Sequence, residues 1–461
     1  MPDRIQSYKV ICGGGLNSNE NHLDLAENNP GAATRLVNYE VSLFGGYRRI
    51  EGFKPYDDTY QEVDPDNAEG PILSLAVFKD DSLNETIIIA TRKVKKYTYT
   101  ATAGQTVFQG ADDDGRTYET VVTNNTHVYV NGVRKYIITD FTISGDIVTL
   151  NTPVAEGDII QIDANEYAFY RHAPAGWTKY TLDHSIRRTT ITTLGDQLRK
   201  IRSATFNFGN GNKIVFVDGA NPAVIFDGQH WDVLTSAGDG TSDQSGTHNP
   251  GGDQCLNAPS LVDVFENHLF IGGDVLSEAT IAHSAPNDPY DFTAANGAGQ
   301  VAVGFDVVQF KPFRDNLFVF GNNGIKKITA DVSAGFVIDQ VTSNVGCIAR
   351  DSVLEIGGDL VFLAPDGLRP VAGTSRIGDV ELETISKPIQ QLLTDLPRDY
   401  DLDTLVGVVI RSKSQLRYFI GDDSFDTRDS FGIIGGLRSA DQRLGWEFGE
   451  VIGIRASATA S

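Results

Sequence analysis

Cysteine is scarce in this chain. Its 461 residues include three cysteines, Cys12, Cys255 and Cys347, which stand far apart and form no Cys-x-x-Cys pair. An odd number of isolated cysteines supports neither a disulfide framework nor a zinc site. We therefore expect synthesis in a reducing compartment and no resident metal or other cofactor.

Long apolar runs are absent as well. No stretch approaches the roughly 20 consecutive apolar residues that a membrane-spanning helix needs. The first residues, MPDRIQSYKVICGGG, lack the apolar run of a secretory signal peptide. We expect a soluble protein that has no membrane span and is made without Sec-type export.

Basic residues are in the minority, with 38 Lys and Arg against 61 Asp and Glu and a net charge of −23. This balance argues against a general nucleic-acid binder, whose affinity depends on a basic surface. It also argues against an anionic membrane surface as a partner. One basic group is Arg187, Arg188, Arg199, Lys200 and Arg202. In so acidic a chain, we expect this group to contact acidic faces of neighbouring subunits rather than DNA.

What the chain does have is repetition. The stretch DLVFLAPDGLRPV (359–371) is two apolar runs joined by a Pro-Asp-Gly turn, which is typical of a β-hairpin. NLFVFGNNGIKKI (316–328) and KIVFVDGANPAVIF (213–226) repeat the pattern. Each hairpin follows an apolar strand, so that units begin near residues 72, 201, 259, 305, 349 and 404. Units of about 40–60 residues with several short strands predict an all-β fold, a β-propeller of about six or seven blades.

A foreign segment, 100–163, interrupts the first unit. It contains short alternating strands, turn signals at Asn131-Gly132 and Gly145-Asp146, and nine acidic against three basic residues. The pattern predicts a small inserted β-sandwich. We therefore expect three parts, listed with their bounds: an N-terminal arm and assembly segment (1–60), the propeller (61–99 and 164–461) and the inserted sandwich (100–163).

One stretch, SKPIQQLLTDLPRD (386–399), has a convincing helical pattern. Ser386 is placed to cap the helix and Pro388 falls in its first turn. Four apolar residues follow at helical spacing: Ile389, Leu392, Leu393 and Leu396.

The stretch SAGDGTSDQSGTHNPGGDQ (236–254) is rich in Gly, Ser and Asp and predicts a loop, because such a composition cannot bury a core. Two interpretations stay open: a tolerated surface loop, or a loop that projects into a channel or a partner. If the loop projects into a channel, its candidate channel-lining or gate residues are Asp239, Asp243 and Asp253.

The final residues, GIRASATAS (453–461), are similar to KIRSATFNF (200–208), the opening strand of the second unit. Either this strand closes the ring together with the N-terminal region, or the native chain continues beyond it. A last blade that borrows a strand from the other terminus leaves no free sheet edge.

Sequence signatures of catalysis are missing. The chain contains no zinc-protease, serine-hydrolase, phosphate-loop or dinucleotide-binding motif, and its histidines are scattered. We therefore expect no catalytic residues and no enzyme. A propeller glycoside hydrolase stays open as an alternative, because paired carboxylates in such enzymes come from different blades.

Three stretches carry a resemblance to a known family. They are CGGGLNSNENHLDLAENNPGAATRLVNYEVSLFGGYRRIEGF (12–53), SAPNDPYDF (284–292) and SNVGCIARDSVLEIGGDLVFLAPDGLRPVAGT (343–374). In this order they resemble the tail nozzle or tail hub proteins of short-tailed bacteriophages, a group that includes tail tubular protein B and DNA-stabilisation tail proteins. The stretch FTISGDIVTLNTPVAEGDIIQI (141–162) is similar to small β-domains of phage tail fibres.

The resemblance implies a structural virion protein, assembled in the host cytoplasm and located in the phage tail. It implies a homo-hexameric ring around a channel that retains packaged DNA and conducts it during ejection. The implied partners are further copies of the chain, a tail adaptor protein, tail fibre or spike proteins, and passing DNA without specific binding. On this view the loop with Asp239, Asp243 and Asp253 is a candidate gate. An alternative is a receptor-binding tail protein that uses the inserted sandwich.

Overall fold

The computed structural model describes most of the chain. The described residues are 12–41, 46–54, 72–79, 86–118, 126–173, 176–180, 188–189, 200–237, 250–331, 335–371, 384–421, 430–440, 443–454, 456 and 458–459. Contacts divide the chain into two compact units. One unit consists of Met1–Lys54 and Phe305–Ser461, and the other of Pro55–Gly304.

The first unit begins with an N-terminal arm. It contains helix α1 (His22–Asn28) and two paired strands, β1 (Tyr39–Val41) and β2 (Tyr47–Arg49). The side chain of Asn21 accepts a hydrogen bond from the backbone N–H of Leu23 and so caps the helix.

The second unit opens with a sheet built on two long antiparallel strands. Its strands are β3 (Ile72–Lys79), β4 (Thr86–Thr100), β10 (Ile159–Ala173), β11 (Gly176–Lys179) and β12 (Arg188–Thr189). The first residues of β10 also pair with β6 (Thr126–Val130), which forms a hairpin with β7 (Val133–Lys135). This hairpin turns at Asn131-Gly132, where both residues have positive φ, as its sequence predicts.

A second small sheet completes the insert. Its strands are β5 (Val107–Gln109), β8 (Phe141–Ile143) and β9 (Ile147–Leu150). Side chains of both sheets share one core, which includes Tyr97, Tyr99, Phe108, Phe141 and Ile160. The predicted inserted β-sandwich is therefore confirmed. Strands β4 and β10 run from the first blade sheet directly into it.

Two four-stranded meanders follow in the second unit. The first consists of β13 (Arg202–Phe206), β14 (Lys213–Val217), β15 (Val224–Phe226) and β16 (Trp231–Val233). The second consists of β17 (Leu261–Phe265), β18 (His268–Gly272), β19 (Thr280–His283) and β20 (Gly299–Ala302). All five side chains of β14 are buried, which explains its unbroken apolar run.

Three more meanders belong to the first unit. One consists of β21 (Val307–Phe313), β22 (Asn316–Gly321), β23 (Ile325–Asp331) and β24 (Gly335–Thr342). The next consists of β25 (Leu354–Ile356), β26 (Asp359–Ala364) and β27 (Gly367–Pro370). The last consists of β28 (Val406–Ile410), β29 (Gln415–Ile420), β30 (Phe431–Ala440) and β31 (Arg443–Ile452).

Successive antiparallel meanders of three or four strands are the blade sheets of a β-propeller. The predicted all-β, β-propeller fold class is therefore confirmed. The described residues contain five such meanders, and the larger sheet of β3, β4 and β10 makes six blade sheets. The sheets begin at residues 72, 202, 261, 307, 354 and 406, close to the unit starts read from the sequence.

The predicted helix is present as a short 3-10 turn, Lys387–Ile389, followed by α2 (Gln390–Asp399). Ser386 occupies the predicted N-cap position, but its side chain does not cap the helix. The hydroxyl of Ser386 makes no capping bond and instead accepts a hydrogen bond from Leu368 N at 2.9 Å. A partner from a distant strand therefore outcompetes the helix's own N–H groups. Among the described residues, no helix is long and apolar enough to cross a membrane.

The described residues near the C-terminus form no strand beyond β31. Ile454 and Ala456 pack instead on a cluster of the first unit that includes Ile50 of the arm. The Thr459 hydroxyl donates a hydrogen bond to the Gly407 carbonyl at 3.3 Å. These residues and Ile50 of the arm therefore pack on the same cluster.

Candidate functional site

The Gly-rich loop leaves its sheet and returns to it at one place, which we call the loop base (Thr235, Ser236, Gly251, Gly252 and Asn257). Gly252 N donates to the Thr235 carbonyl at 3.0 Å. Ser236 N donates to Asn257 Oδ1, also at 3.0 Å. The ends of the loop are therefore tied together. Residues 238–249, with the predicted gate residues Asp239 and Asp243, lie outside the described residues.

The loop base rests on the SAPNDPYDF stretch. Gly251 N donates to the Tyr290 carbonyl at 2.7 Å, and Phe292 N donates to the Gly251 carbonyl at 2.9 Å. The Phe292 side chain is fully buried in the core beneath. The ends of the Gly-rich loop and the SAPNDPYDF stretch therefore form one structural element.

Both glycines of the loop base are required by their surroundings. Gly251 has φ +117°, and a Cβ there would lie 1.9 Å from the Thr235 carbonyl oxygen. Gly252 has φ +142°, and its Cβ would lie 2.6 Å from the Phe292 carbonyl carbon. Only glycine combines this backbone conformation with this close approach.

Asp253, the third predicted gate residue, acts as a tether. Its Oδ1 accepts a hydrogen bond from Ala294 N at 2.9 Å, and its Oδ2 accepts one from Gln254 Nε2 at 3.0 Å. These bonds lower the pKa of the Asp253 carboxyl, with the Ala294 bond contributing most. The carboxylate joins the end of the loop to the short 3-10 helix Ala294–Asn296.

The acidic residues of SAPNDPYDF form turns. Asp288 Oδ1 accepts from Tyr290 N at 3.0 Å, and Asp291 Oδ1 accepts from Thr293 N at 2.7 Å. Such bonds from a side chain to the backbone two residues on are the reason that Asp is favoured in tight turns. These carboxylates therefore shape the chain on which the loop base rests.

A histidine pair, which sequence analysis missed, lies at the start of this stretch. The rings of His268 and His283 are 5.2 Å apart between centroids. Their Nδ1 atoms lie 2.6 and 3.1 Å from the Ser284 carbonyl oxygen, so each ring carries its proton on Nδ1 to donate there. Burial lowers the pKa of His283, and the neighbouring His268 lowers it further. The two residues are 15 positions apart, and only the pairing of β18 with β19 brings them together.

The predicted interface group of basic residues is partly described. Arg202 Nη1 donates to the Ser260 carbonyl at 3.3 Å and so links two neighbouring sheets of the second unit. Lys200 is half-buried, and Arg188 lies in β12 opposite Tyr167. Arg187 and Arg199 lie outside the described residues. The role of the group as a subunit interface stays a prediction.

The arm is held by a second cluster, which we call the Glu40 clamp (Glu40, Arg48, Lys413 and Arg417). The Glu40 side chain is only 4% exposed. Its carboxylate lies 2.8 Å from Lys413 Nζ, 2.8 Å from Arg417 Nη2 and 3.7 Å from Arg48 Nε. A buried carboxylate is tolerated when cations and hydrogen bonds surround it in this way. Burial lowers the pKa of Arg417, and the charge of Glu40 opposes that shift.

The arm also covers the outer edge of β31. Asn38 N donates to the Glu450 carbonyl at 2.8 Å, and Glu450 N donates to the Leu36 carbonyl at 2.9 Å. Leu16 N donates to the Phe448 carbonyl at 2.7 Å. An uncovered edge strand would offer its backbone to any other strand. The Leu-Val-Asn-Tyr-Glu motif (36–40) therefore protects the edge of the last sheet and supplies the clamp carboxylate.

The third resemblance stretch forms a buried joint. The Ser352 hydroxyl donates to the Ala349 carbonyl and accepts from Leu363 N, while its backbone carbonyl accepts from the Tyr418 hydroxyl at 2.7 Å. Cys347 lies beside it, and burial raises the pKa of its thiol to about 11. A thiol this far from ionisation at neutral pH is a packing group rather than a nucleophile.

Within the described residues, no group of three or more His, Cys, Asp or Glu side chains is placed to hold a metal ion.

No protein-family profile matches the chain, and no curated protein matches its sequence. Similar solved structures include Hsv2 of Kluyveromyces lactis, with 10% identity, 61% of this chain and 91% of Hsv2 covered, and a TM-score of 0.28. A quinonprotein alcohol dehydrogenase-like protein from Bacteroides thetaiotaomicron shows 7% identity, coverage of 70% and 88%, and a TM-score of 0.27. A variant of NanB sialidase from Streptococcus pneumoniae shows 11% identity, with 82% of this chain and 56% of the sialidase chain covered, and a TM-score of 0.28. Structural similarity this weak does not support a fold assignment, so the fold class rests on the sheets described above.

Proposed function

We propose that this chain is a structural protein of a phage tail, a ring subunit of the nozzle or hub that retains packaged DNA and conducts it during ejection. One observation carries the proposal. The three stretches that resemble the nozzle and hub family hold parts of the fold together. The first forms the arm with its clamp, the second supports the loop base, and the third forms the buried joint at Ser352. Their polar side chains are engaged in holding the fold, and the proposal includes no catalytic step.

The charge of the chain supports the same proposal. A wall of basic residues would displace counterions from DNA and hold the strand in place. The net charge of −23 gives the subunit the opposite character. An acidic conduit lets DNA pass without specific binding.

The proposed assembly is a homo-hexamer in the virion, assembled in the host cytoplasm and joined to a tail adaptor and to fibre or spike proteins. Native mass measurement and negative-stain imaging of the purified chain, alone and with its adaptor, test this assembly. We expect a six-fold ring in at least one of the two conditions. A chain that stays monomeric in both would contradict the proposal.

The loop between the two ends of the loop base is the proposed gate. The base fixes where the loop starts and ends, so residues 238–249 can be replaced by a Gly-Ser linker of equal length while the base is kept. We expect virions with this replacement to leak DNA or to eject it with altered kinetics. A matched replacement of Asp239 and Asp243 by Asn separates the effect of charge from that of the loop itself. Unchanged retention and ejection in both would remove the gate from the proposal.

A further inference from the structure

The insert presents an apolar turn to solvent. We call residues 136–140 the presenting turn. Within it, Tyr136 is 63% exposed and Ile138 is 79% exposed. Val133, close by on β7, is 62% exposed. Ile137 lies between the two exposed residues and packs on the core of the insert. The turn therefore anchors itself through one apolar side chain and directs two others outward.

Ile138 adopts a backbone conformation that its side chain disfavours. Its φ is +74°, in the left-handed region. A β-branched residue there is a clear outlier, whereas Gly, Asn or Asp would fit with little strain. The exposed side chain gains little from burial in return. Strain of this kind is typical of positions where a residue serves a purpose other than folding.

The turn is also rigid. Ile138 N donates to the Phe141 carbonyl at 2.6 Å, and Asn151 Nδ2 donates to the Ile138 carbonyl at 3.0 Å. Tyr136 N donates to Asp140 Oδ2 at 2.9 Å, and Asp140 N donates back to the Tyr136 carbonyl at 2.8 Å. A surface that is ordered before binding loses little conformational entropy when it binds.

The charge around the turn indicates the kind of partner. Two of the three basic residues of the insert, Arg134 and Lys135, lie on β7 beside the turn, while the carboxylate of Asp140 within the turn accepts a hydrogen bond from Tyr136 N. The Arg134 guanidinium is 5.8 Å from the centre of the Tyr136 ring. An apolar knob with a basic edge fits an apolar depression with an acidic rim. Outside the insert, the chain has 52 acidic and 35 basic residues, so a second copy is rich in the required charge.

We propose that the presenting turn docks onto a second copy of this chain and that the insert is thereby a subunit contact. The inference rests on the proposed ring and names one of its interfaces. Ile138 and Tyr136 supply the buried anchors, since large side chains at the centre of a contact carry most of its affinity.

The test compares full-length variants by sedimentation and native mass measurement over a range of concentrations. Ile138→Asn removes the apolar anchor and also relieves the backbone strain, so the variant should unfold at the same temperature as the parent or higher. We expect its self-association constant to fall by at least about tenfold, which corresponds to 1.4 kcal/mol. Leu276→Asn is the matched control, because Leu276 is 89% exposed and lies outside the insert. It should associate like the parent.

Each outcome is decisive. An Ile138→Asn chain that assembles like the parent would overturn the docking inference and leave the ring proposal standing. If Ile138→Asn and Leu276→Asn lowered the self-association constant equally, the docking inference would be overturned too, because association would then depend on exposed apolar side chains in general and not on this turn. A parent chain that never assembles, even with its adaptor, would defeat both proposals. Normal assembly with lost adsorption to host cells would assign the turn to receptor contact instead.

Discussion

The N-terminal arm and the loop base are both held at the edge of a sheet, but by different interactions. The arm makes backbone hydrogen bonds to β31 and, in addition, places a buried carboxylate among three cations, with partners up to 377 residues away in sequence. The loop base depends on backbone hydrogen bonds and on two glycines that leave no space for a side chain. A segment held by a buried charge can be released by removing that charge, whereas a sterically fitted one can only be broken by distorting the backbone.

The largest effect should come from Gly251→Ala. A Cβ at 1.9 Å from the Thr235 oxygen forces the loop base apart, and φ +117° adds backbone strain. We expect the free energy of unfolding to fall by about 3–5 kcal/mol, as for other substitutions that combine overpacking with strain. Urea titration measures it. The control is Gly104→Ala, where φ is +76° but nothing lies within 4 Å of the added Cβ. It should cost only about 1–2 kcal/mol, the backbone cost alone.

Glu40→Gln should have the next largest effect. It leaves Lys413 and Arg417, both largely buried, without their carboxylate. We expect a loss of about 3–4 kcal/mol, at the lower end of what removing one member of a buried ion pair costs. Limited proteolysis should show the arm cut faster while the sheets stay intact.

The matched control for Glu40 is Glu51→Gln. Glu51 also approaches Lys413, at 3.6 Å, but its side chain is 65% exposed. An exposed pair contributes at most about 1 kcal/mol. Equal protease sensitivity of the two variants would mean that the buried carboxylate is not what holds the arm.

The sequence predicts the features that depend on local interactions and misses those that depend on distant ones. The repeat units, the Asn131-Gly132 turn and the helix near residue 390 follow from periodicity and turn chemistry, which act over a few residues. The Glu40 clamp joins residues about 373 positions apart, and no local pattern encodes that pairing. Ser386 is a second example. The sequence around it has the pattern of a helix cap, but its hydroxyl accepts a hydrogen bond from the backbone N–H of Leu368 in another strand.

The histidine pair predicts a pH dependence near the loop base. The folded-state pKa of His283 lies below its model-peptide value of 6.5, chiefly because of burial. The unfolded chain therefore binds the proton more readily, so stability is complete above about pH 6.5 and falls as the pH drops from there towards the folded-state pKa. Urea midpoints measured between pH 8 and pH 5 check the direction. In His283→Gln the pH-dependent part should shrink, and an unchanged pH profile would show that other groups cause it.

The smallest effect should come from Asp253→Asn, which sharpens the comparison because it removes a charge from the sterically held region. The carboxylate is exposed, and its main bond goes to Ala294 N at 2.9 Å, an interaction that an Asn side chain oxygen can still accept. If geometry rather than charge holds the loop base, global unfolding should be unchanged and hydrogen exchange at Ala294 should rise only modestly. Asp253→Ala, which removes the acceptor entirely, should raise that exchange more. If Asp253→Asn alone released the loop base as Glu40→Gln releases the arm, the two regions would depend on charge in the same way.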